Sequence, residues 1–152
     1  KGPIALRYPR GSKQADIETT FLPGVTDKVR DGKDATVLAV GVLAHEAICA
    51  AELAEKAGVE AEVLVLRQVW PLEVETIIES VAQTGRLLIL EDGVLSGGIG
   101  EAVVAALGKR GIRAEFECRG YDQFVVQADV SSIWRRYGLD SESILKWLER
   151  KN

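Results

Sequence analysis

The 152 residues carry 19 basic and 23 acidic side chains, a net charge of −4, with 47% apolar and 28% charged residues. This balance bounds the chain to one ordinary domain with a short appendage and argues against disorder, a fibrous repeat or a phosphate-backbone binder. No apolar run approaches the roughly 18 residues of a membrane span, and two cysteines and one histidine are too few for a disulfide framework or a multi-histidine metal site.

The chain opens on Lys1-Gly2-Pro3 without an initiator methionine or a targeting signal, which reads as a piece of a longer cytoplasmic protein. Residues 4–10 have the look of a short strand closed by Pro9 and Gly11, and residues 12–24 have linker composition. Val25 to Arg30 and Ala35 to Gly41, joined through Asp31-Gly32, predict an antiparallel hairpin. Thr36 to Val40 is continuously apolar, as in a strand buried on both faces.

From Leu43 the pattern alternates. Leu43, Ala47, Ala50, Ala51 and Ala54 recur at helical spacing and Gly58 stops that helix, after which Glu62 to Leu66 predicts a strand. Pro71 is expected to open the next helix, with Glu73 and Glu75 at its positive end and Gly85 closing it. Leu87 to Leu90 is the next buried strand, Glu91 to Gly98 a loop, and Ile99, Val103 and Leu107 mark a third helix. Ile112 to Cys118 reads as a further strand. Two short helices follow at 131–137 and 141–149, with Asp129 and Asp140 as N-caps. Such alternation argues a largely parallel sheet covered on both faces.

Several features could carry chemistry. Ser96-Gly-Gly-Ile-Gly100 lies between a strand and a helix, where backbone N–H groups can meet a phosphate. Its spacing is not that of a dinucleotide or P-loop fingerprint, so the glycines are read as a tight turn with close helix packing. His45 and Glu46 point in different directions on a helix, and His45 is read as a surface or interface residue. Glu91-Asp92 ends a strand where open α/β sheets place ligands, although adjacent carboxylates before glycine also suit a plain turn. Arg7 and Arg10 could each fork onto a phosphate or form a surface salt bridge. The cysteines are read as reduced packing residues, and Trp70, Trp134 and Trp147 as core or interface anchors.

Gly2-Pro-Ile-Ala-Leu-Arg-Tyr-Pro-Arg-Gly11 resembles a run of the 1-deoxy-D-xylulose-5-phosphate synthase family, transketolase-type enzymes. Val40-Gly-Val-Leu43 with Glu46-Ala47, Leu66 to Leu72, Glu91 to Gly100 and Gly138-Leu-Asp140 extend the similarity along the chain. Departures fall at Trp70, Glu73 and Gln127-Ala128. The resemblance implies a three-layer α/β/α sandwich on a five-stranded mixed, mostly parallel sheet, like the transketolase C-terminal domain. Residues 1–24 would then end a pyrimidine-binding domain with its linker, and residues 25–152 would form the C-terminal domain.

The activity implied joins pyruvate to glyceraldehyde 3-phosphate with loss of carbon dioxide, supplying isoprenoid and thiamine precursors. Thiamine diphosphate and Mg2+ would be held by upstream domains, leaving no cofactor, metal or catalytic residue in this stretch, which alone would be inactive. Arg10, with Arg7 as the near alternative, would grip the substrate phosphate. The partners implied are the chain's own upstream domains and a second copy in a homodimer, with no nucleic acid and no membrane. The alternative is a non-catalytic oligomerisation module of a transketolase or of a 2-oxoacid dehydrogenase β subunit, which would not need Arg7-Tyr-Pro-Arg10.

Overall fold

The computed structural model describes residues 2–6 and 24–150. Five strands form one mixed sheet in the order β1-β3-β2-β4-β5. They are β1 (Asp27–Arg30), β2 (Ala35–Val40), β3 (Ala61–Leu66), β4 (Arg86–Val94) and β5 (Glu115–Tyr121). The helices are α1 (Ala44–Lys56), α2 (Glu75–Thr84), α3 (Ile99–Lys109), α4 (Val130–Tyr137) and α5 (Ser141–Leu148). Strands β2 to β5 are parallel, and β1 runs antiparallel against β3.

The near-continuous apolar strands take the centre because both of their faces are covered. On one face Ala47 and Ala51 of α1 pack with Val63, Leu139, Ile144 and Trp147. On the other, Ile77 and Val81 of α2 and Val103 of α3 cover Leu38, Leu64 and Leu87. This is the expected three-layer sandwich. Within it the polar side chain of Thr36, wholly buried, shares hydrogen bonds with Ser80 Oγ at 2.6 Å and Thr84 Oγ1 at 2.7 Å. Among the described residues no helix is long and apolar enough to cross a membrane.

The hairpin expected around Asp31-Gly32 does not form. Strand β1 pairs with β3, so residues 31–34 instead carry the chain over the start of β3. Lys33 and Asp34 both donate backbone N–H groups to Glu60 O at 2.9 Å. The reason lies in composition: Asp27, Lys28 and Arg30 suit a sheet edge, where charges are tolerated, and the apolar β2 belongs at the centre. Lys28 then reaches the buried carboxylate of Glu62 at 2.6 Å. Gly32 is needed for close approach, since a Cβ there would lie 2.2 Å from the backbone of Ala61 and Glu62.

Other boundaries shift for local reasons. Helix α2 starts at Glu75 rather than Pro71, and Glu73 Oε1 accepts the N–H of Thr76 at 3.0 Å. Strand β4 runs on through Glu91 to Val94, where a loop was expected, with a register irregularity after Leu90. Strand β5 begins at Glu115 rather than Ile112, because the Ile112 N–H closes α3 on Leu107 O at 3.1 Å. Residues 2–6 hold no regular structure, with Ile4 and Leu6 exposed, so the strand expected over 4–10 is not seen there. The remainder of that strand and the linker up to residue 23 lie outside the described residues.

Arg86, at the start of β4, holds α5 against the sheet. Its Nη2 and Nη1 donate to Trp147 O at 3.1 Å and Leu148 O at 3.4 Å, and its guanidinium lies 4.6 Å from the Trp147 ring centroid. A buried cation is thereby satisfied by the negative end of a helix.

Unfolding of the chain should be cooperative, with one thermal transition. Gly32→Ala should destabilise it by about 1–3 kcal/mol, the cost of forcing a methyl group into packed backbone. A urea midpoint equal to that of the unsubstituted chain would show that the crossing at Ala61 has room to spare.

Candidate functional site at the carboxyl end of the sheet

Strands β2 to β5 end on one edge of the sheet. The chain leaves β2 towards β3 through α1 and returns across β2 to β4 through α2. The crevice between β2 and β4 is therefore a topological switch point, the usual place for a ligand in an open α/β sheet. Glu91 and Asp92 stand at the carboxyl end of the neighbouring strand β4, as the sequence placed them, although on the strand itself where a loop was expected.

Their side chains part company. Glu91 is 5% exposed and turns towards α3. Its Oε2 accepts the N–H of Ile99 at 2.9 Å and its Oε1 that of Gly100 at 3.4 Å. The positive end of α3, the obvious seat for an anion, is thus filled by the chain's own carboxylate. A Cβ at Gly98 would lie 2.5 Å from Glu91 Oε2, and one at Gly100 would lie 2.8 Å from Cys118 Sγ. The glycines are there for close approach, as their spacing suggested.

Asp92 belongs to the opposite face. Its Oδ1 accepts the hydroxyl of Tyr121 and the Trp134 indole N–H, the latter at 3.4 Å. Tyr121 in turn meets the Tyr137 ring edge-on, with centroids 4.9 Å apart. Burial, and then the Asp92 carboxylate, push the Tyr121 hydroxyl well above its ordinary range. Glu91 and Asp92 therefore do not form a paired acid and base. Each ties the end of β4 to a helix.

Beside Glu91 a groove of about 380 Å³ opens between α3 and β5, lined by Leu95, Val104, Phe116 and Cys118 among others. Burial first, and then the nearby carboxylates, raise the Cys118 thiol above its usual value, so it is no activated nucleophile. His45 sits in the first turn of α1, with Nε2 3.7 Å from Cys49 Sγ. Trp134 and Trp147 are core residues, whereas Trp70 is 85% exposed.

Three side chains for which the sequence suggested no such role complete this end of the molecule. Arg119 donates to Gly138 O at 2.7 Å and Ser143 O at 3.0 Å, while its Nε meets Glu117 at 2.7 Å. Tyr121 anchors Asp92, as above. Glu46 Oε2 accepts the Ser141 N–H at 2.7 Å, so α5 is capped from α1 and not by the expected Asp140, whose side chain makes no capping bond. Asp129 does cap α4, accepting from Ser132 N at 2.9 Å. A partner 95 residues away leaves no local signature in a sequence, so Glu46 could not have been found by pattern.

Arg7 and Arg10 lie outside the described residues. At this end of the sheet Glu91 occupies the Gly-rich start of α3, and among the described residues no group of three or more His, Cys, Asp or Glu is placed to hold a metal.

The Tyr121 assignment has a pH signature. Its ionisation is suppressed by folding, so its contribution to stability is complete below about pH 10, the unfolded value, and is lost as pH rises through the higher folded value. Phenolate absorbance should show one of the three tyrosines titrating late. Asp92→Asn should bring that step down; a late step unchanged by the substitution would leave burial as its whole cause.

Comparison with known proteins agrees with this geometry. The profile described as transketolase, C-terminal domain, matches residues 24–144. The 1-deoxy-D-xylulose-5-phosphate synthase of Desulfitobacterium hafniense is 39% identical over 98% of this chain and 24% of its own length. That of Heliobacterium modesticaldum is 36% identical over 96% of the chain and 23% of its own length. The chain thus spans about a quarter of these relatives. Among solved structures, a split-gene transketolase described as an inactive β4 tetramer has a TM-score of 0.80 at 24% identity, covering 90% of this chain and 48% of that one. A Campylobacter jejuni transketolase gives 0.60 at 16% identity, covering 84% and 19%. The chain belongs to the transketolase C-terminal domain family.

Proposed function

We propose that this chain is the C-terminal part of a cytoplasmic, thiamine-diphosphate- and Mg2+-dependent synthase that joins pyruvate to glyceraldehyde 3-phosphate, forming 1-deoxy-D-xylulose 5-phosphate and carbon dioxide. The observation that carries this reading is similarity to 1-deoxy-D-xylulose-5-phosphate synthases over 98% of the chain. On this reading residues 1–24 close a pyrimidine-binding domain and residues 25–152 are the C-terminal domain. The cofactor and its metal belong to upstream domains, and the helix start already filled by Glu91 supports that division. Two copies assemble as a homodimer. The chain's own part is to pack against its neighbours and to supply Arg10, whose planar guanidinium can take two oxygens of the substrate phosphate; Arg7 is the second choice.

The intact enzyme tests the assignment of Arg10. Arg10→Ala removes a charge-assisted pair worth about 2–4 kcal/mol in a desolvated site. The expected loss in kcat/KM is on the order of 30- to 1000-fold for the phosphorylated aldehyde, with attack on pyruvate near normal. Arg10→Lys should recover part of the loss. An equal fall with unphosphorylated glyceraldehyde would make Arg10 a structural residue. The chain of 152 residues titrated alone with thiamine diphosphate and Mg2+ should show no binding; a micromolar Kd would overturn the division of labour.

A further inference from the structure

Helix α3 is unusually apolar for a helix at the surface. Of its eleven residues only Glu101 and Lys109 are polar, and Ala102 and Ala105 are exposed. A helix apolar on nearly all sides is ordinarily buried on nearly all sides. Next to it the groove towards β5 ends on Phe116, which is 52% exposed. Among the described residues β5 pairs only with β4, so it is an edge strand. Glu115 donates its N–H to Gly85 O, and Tyr121 O accepts from Leu95. The odd-numbered residues of β5 therefore turn their backbone groups inward, and Phe116, Cys118 and Gly120 turn theirs outward.

We infer that the β5 edge and the adjoining face of α3 form the contact between two copies of this chain, the two β5 strands pairing antiparallel about a two-fold axis at Cys118. The inference rests on the homodimer proposed above and names its surface. The charges select both the occupant and the register. With the axis perpendicular to the sheet, directly opposed residues must share a face, so the axis passes through a residue. Centred on Phe116, the pairing would set Glu115 against Glu117 of the second copy. Centred on Glu117 it would set that carboxylate against itself, and centred on Arg119 it would oppose two guanidiniums. Centred on Cys118, Glu117 of each copy faces Arg119 of the other. Since Nε of Arg119 already meets Glu117 of its own strand at 2.7 Å, the four groups would close a ring of alternating charge.

In that register Phe116 lies across from Gly120 of the second copy, an aromatic over a residue with no side chain of its own. The two α3 helices come side by side on the same face of the joined sheet, and Ala102 and Ala105 permit the ordinary approach of about 8–10 Å. Alternating charges along an edge strand usually prevent pairing. Here they disfavour the registers centred on Phe116, Glu117 and Arg119 and favour the one centred on Cys118, while centring on Gly120 would pair only residues 119–121 of each strand.

Sedimentation velocity of the full-length protein at about 1–100 µM tests the surface. The unsubstituted protein should dimerise. Phe116→Lys and Glu117→Arg should each weaken the dimer by at least about tenfold, and Trp70→Lys, at the carboxyl end of the sheet, should leave it intact. A protein monomeric throughout would sink both the homodimer and this surface. A dimer indifferent to both edge substitutions would keep the homodimer and reject β5. Amide exchange on the unsubstituted protein decides the matter even where a variant fails to fold. Protection at Phe116, Cys118 and Gly120 should rise with protein concentration, and protection independent of concentration would overturn the proposal.

Discussion

The arrangement at the carboxyl end of the sheet depends on one buried carboxylate. Glu91 costs free energy to desolvate, and it is retained because two N–H groups and the dipole at the start of α3 replace its water. That contact dictates the residues around it. Gly98 and Gly100 can carry no side chain while Glu91 and Cys118 lie against them, and the groove beside β5 inherits its shape from the same approach. A helix start that holds an internal anion has no vacancy for a phosphate, although strand, glycines and helix are all present in the expected order.

Cations organise the other end of the helices. Arg86 meets the last carbonyls of α5, and Arg119 meets Gly138 O just beyond α4 together with Ser143 O. Both guanidiniums rise from the sheet, so α4 and α5 are held to β4 and β5 by hydrogen bonds that a shifted helix would lose. The two arginines and Glu46 tie the last two helices to the sheet and to α1, although both short helices carry apolar faces of their own.

How much of this a sequence reveals follows from the range of the forces. Strands β2, β3 and β4 were legible because burial on both faces leaves runs of apolar residues, and the ends of α1 and α2 because Gly58 and Gly85 take positive φ. Asp129 was legible as a cap because the N–H that it accepts from lies only three residues away. The place of β1 was not, since Asp-Gly supports a hairpin locally while the charges of β1 select the edge globally. Asp140 failed for a related reason: a rival carboxylate, Glu46, reached the Ser141 N–H first, from a helix distant in sequence. At the site, the positions of Glu91 and Asp92 could be read, but not that alternation along β4 sends them to opposite faces. The fork suggested by Arg7 and Arg10 depends on residues outside those described.

The two edges of the sheet show different solutions to one hazard. Strand β1 is four residues long, carries an irregularity at Lys28 to Arg30, and has its charges engaged by Glu62 and Glu55. Short length, a bulge and committed charges are the ordinary means of blunting an edge. Strand β5 has seven residues, a regular outward row of backbone groups and an exposed phenylalanine. Its charges are confined to the face turned towards α5, where Glu117 meets Arg150 at 3.2 Å and Glu115 meets Arg86 at 3.1 Å. The face turned towards α3 is left to Phe116, Cys118 and Gly120. An edge blunted on one face only, beside a helix with almost no polar residues, is built to be covered rather than to be shunned.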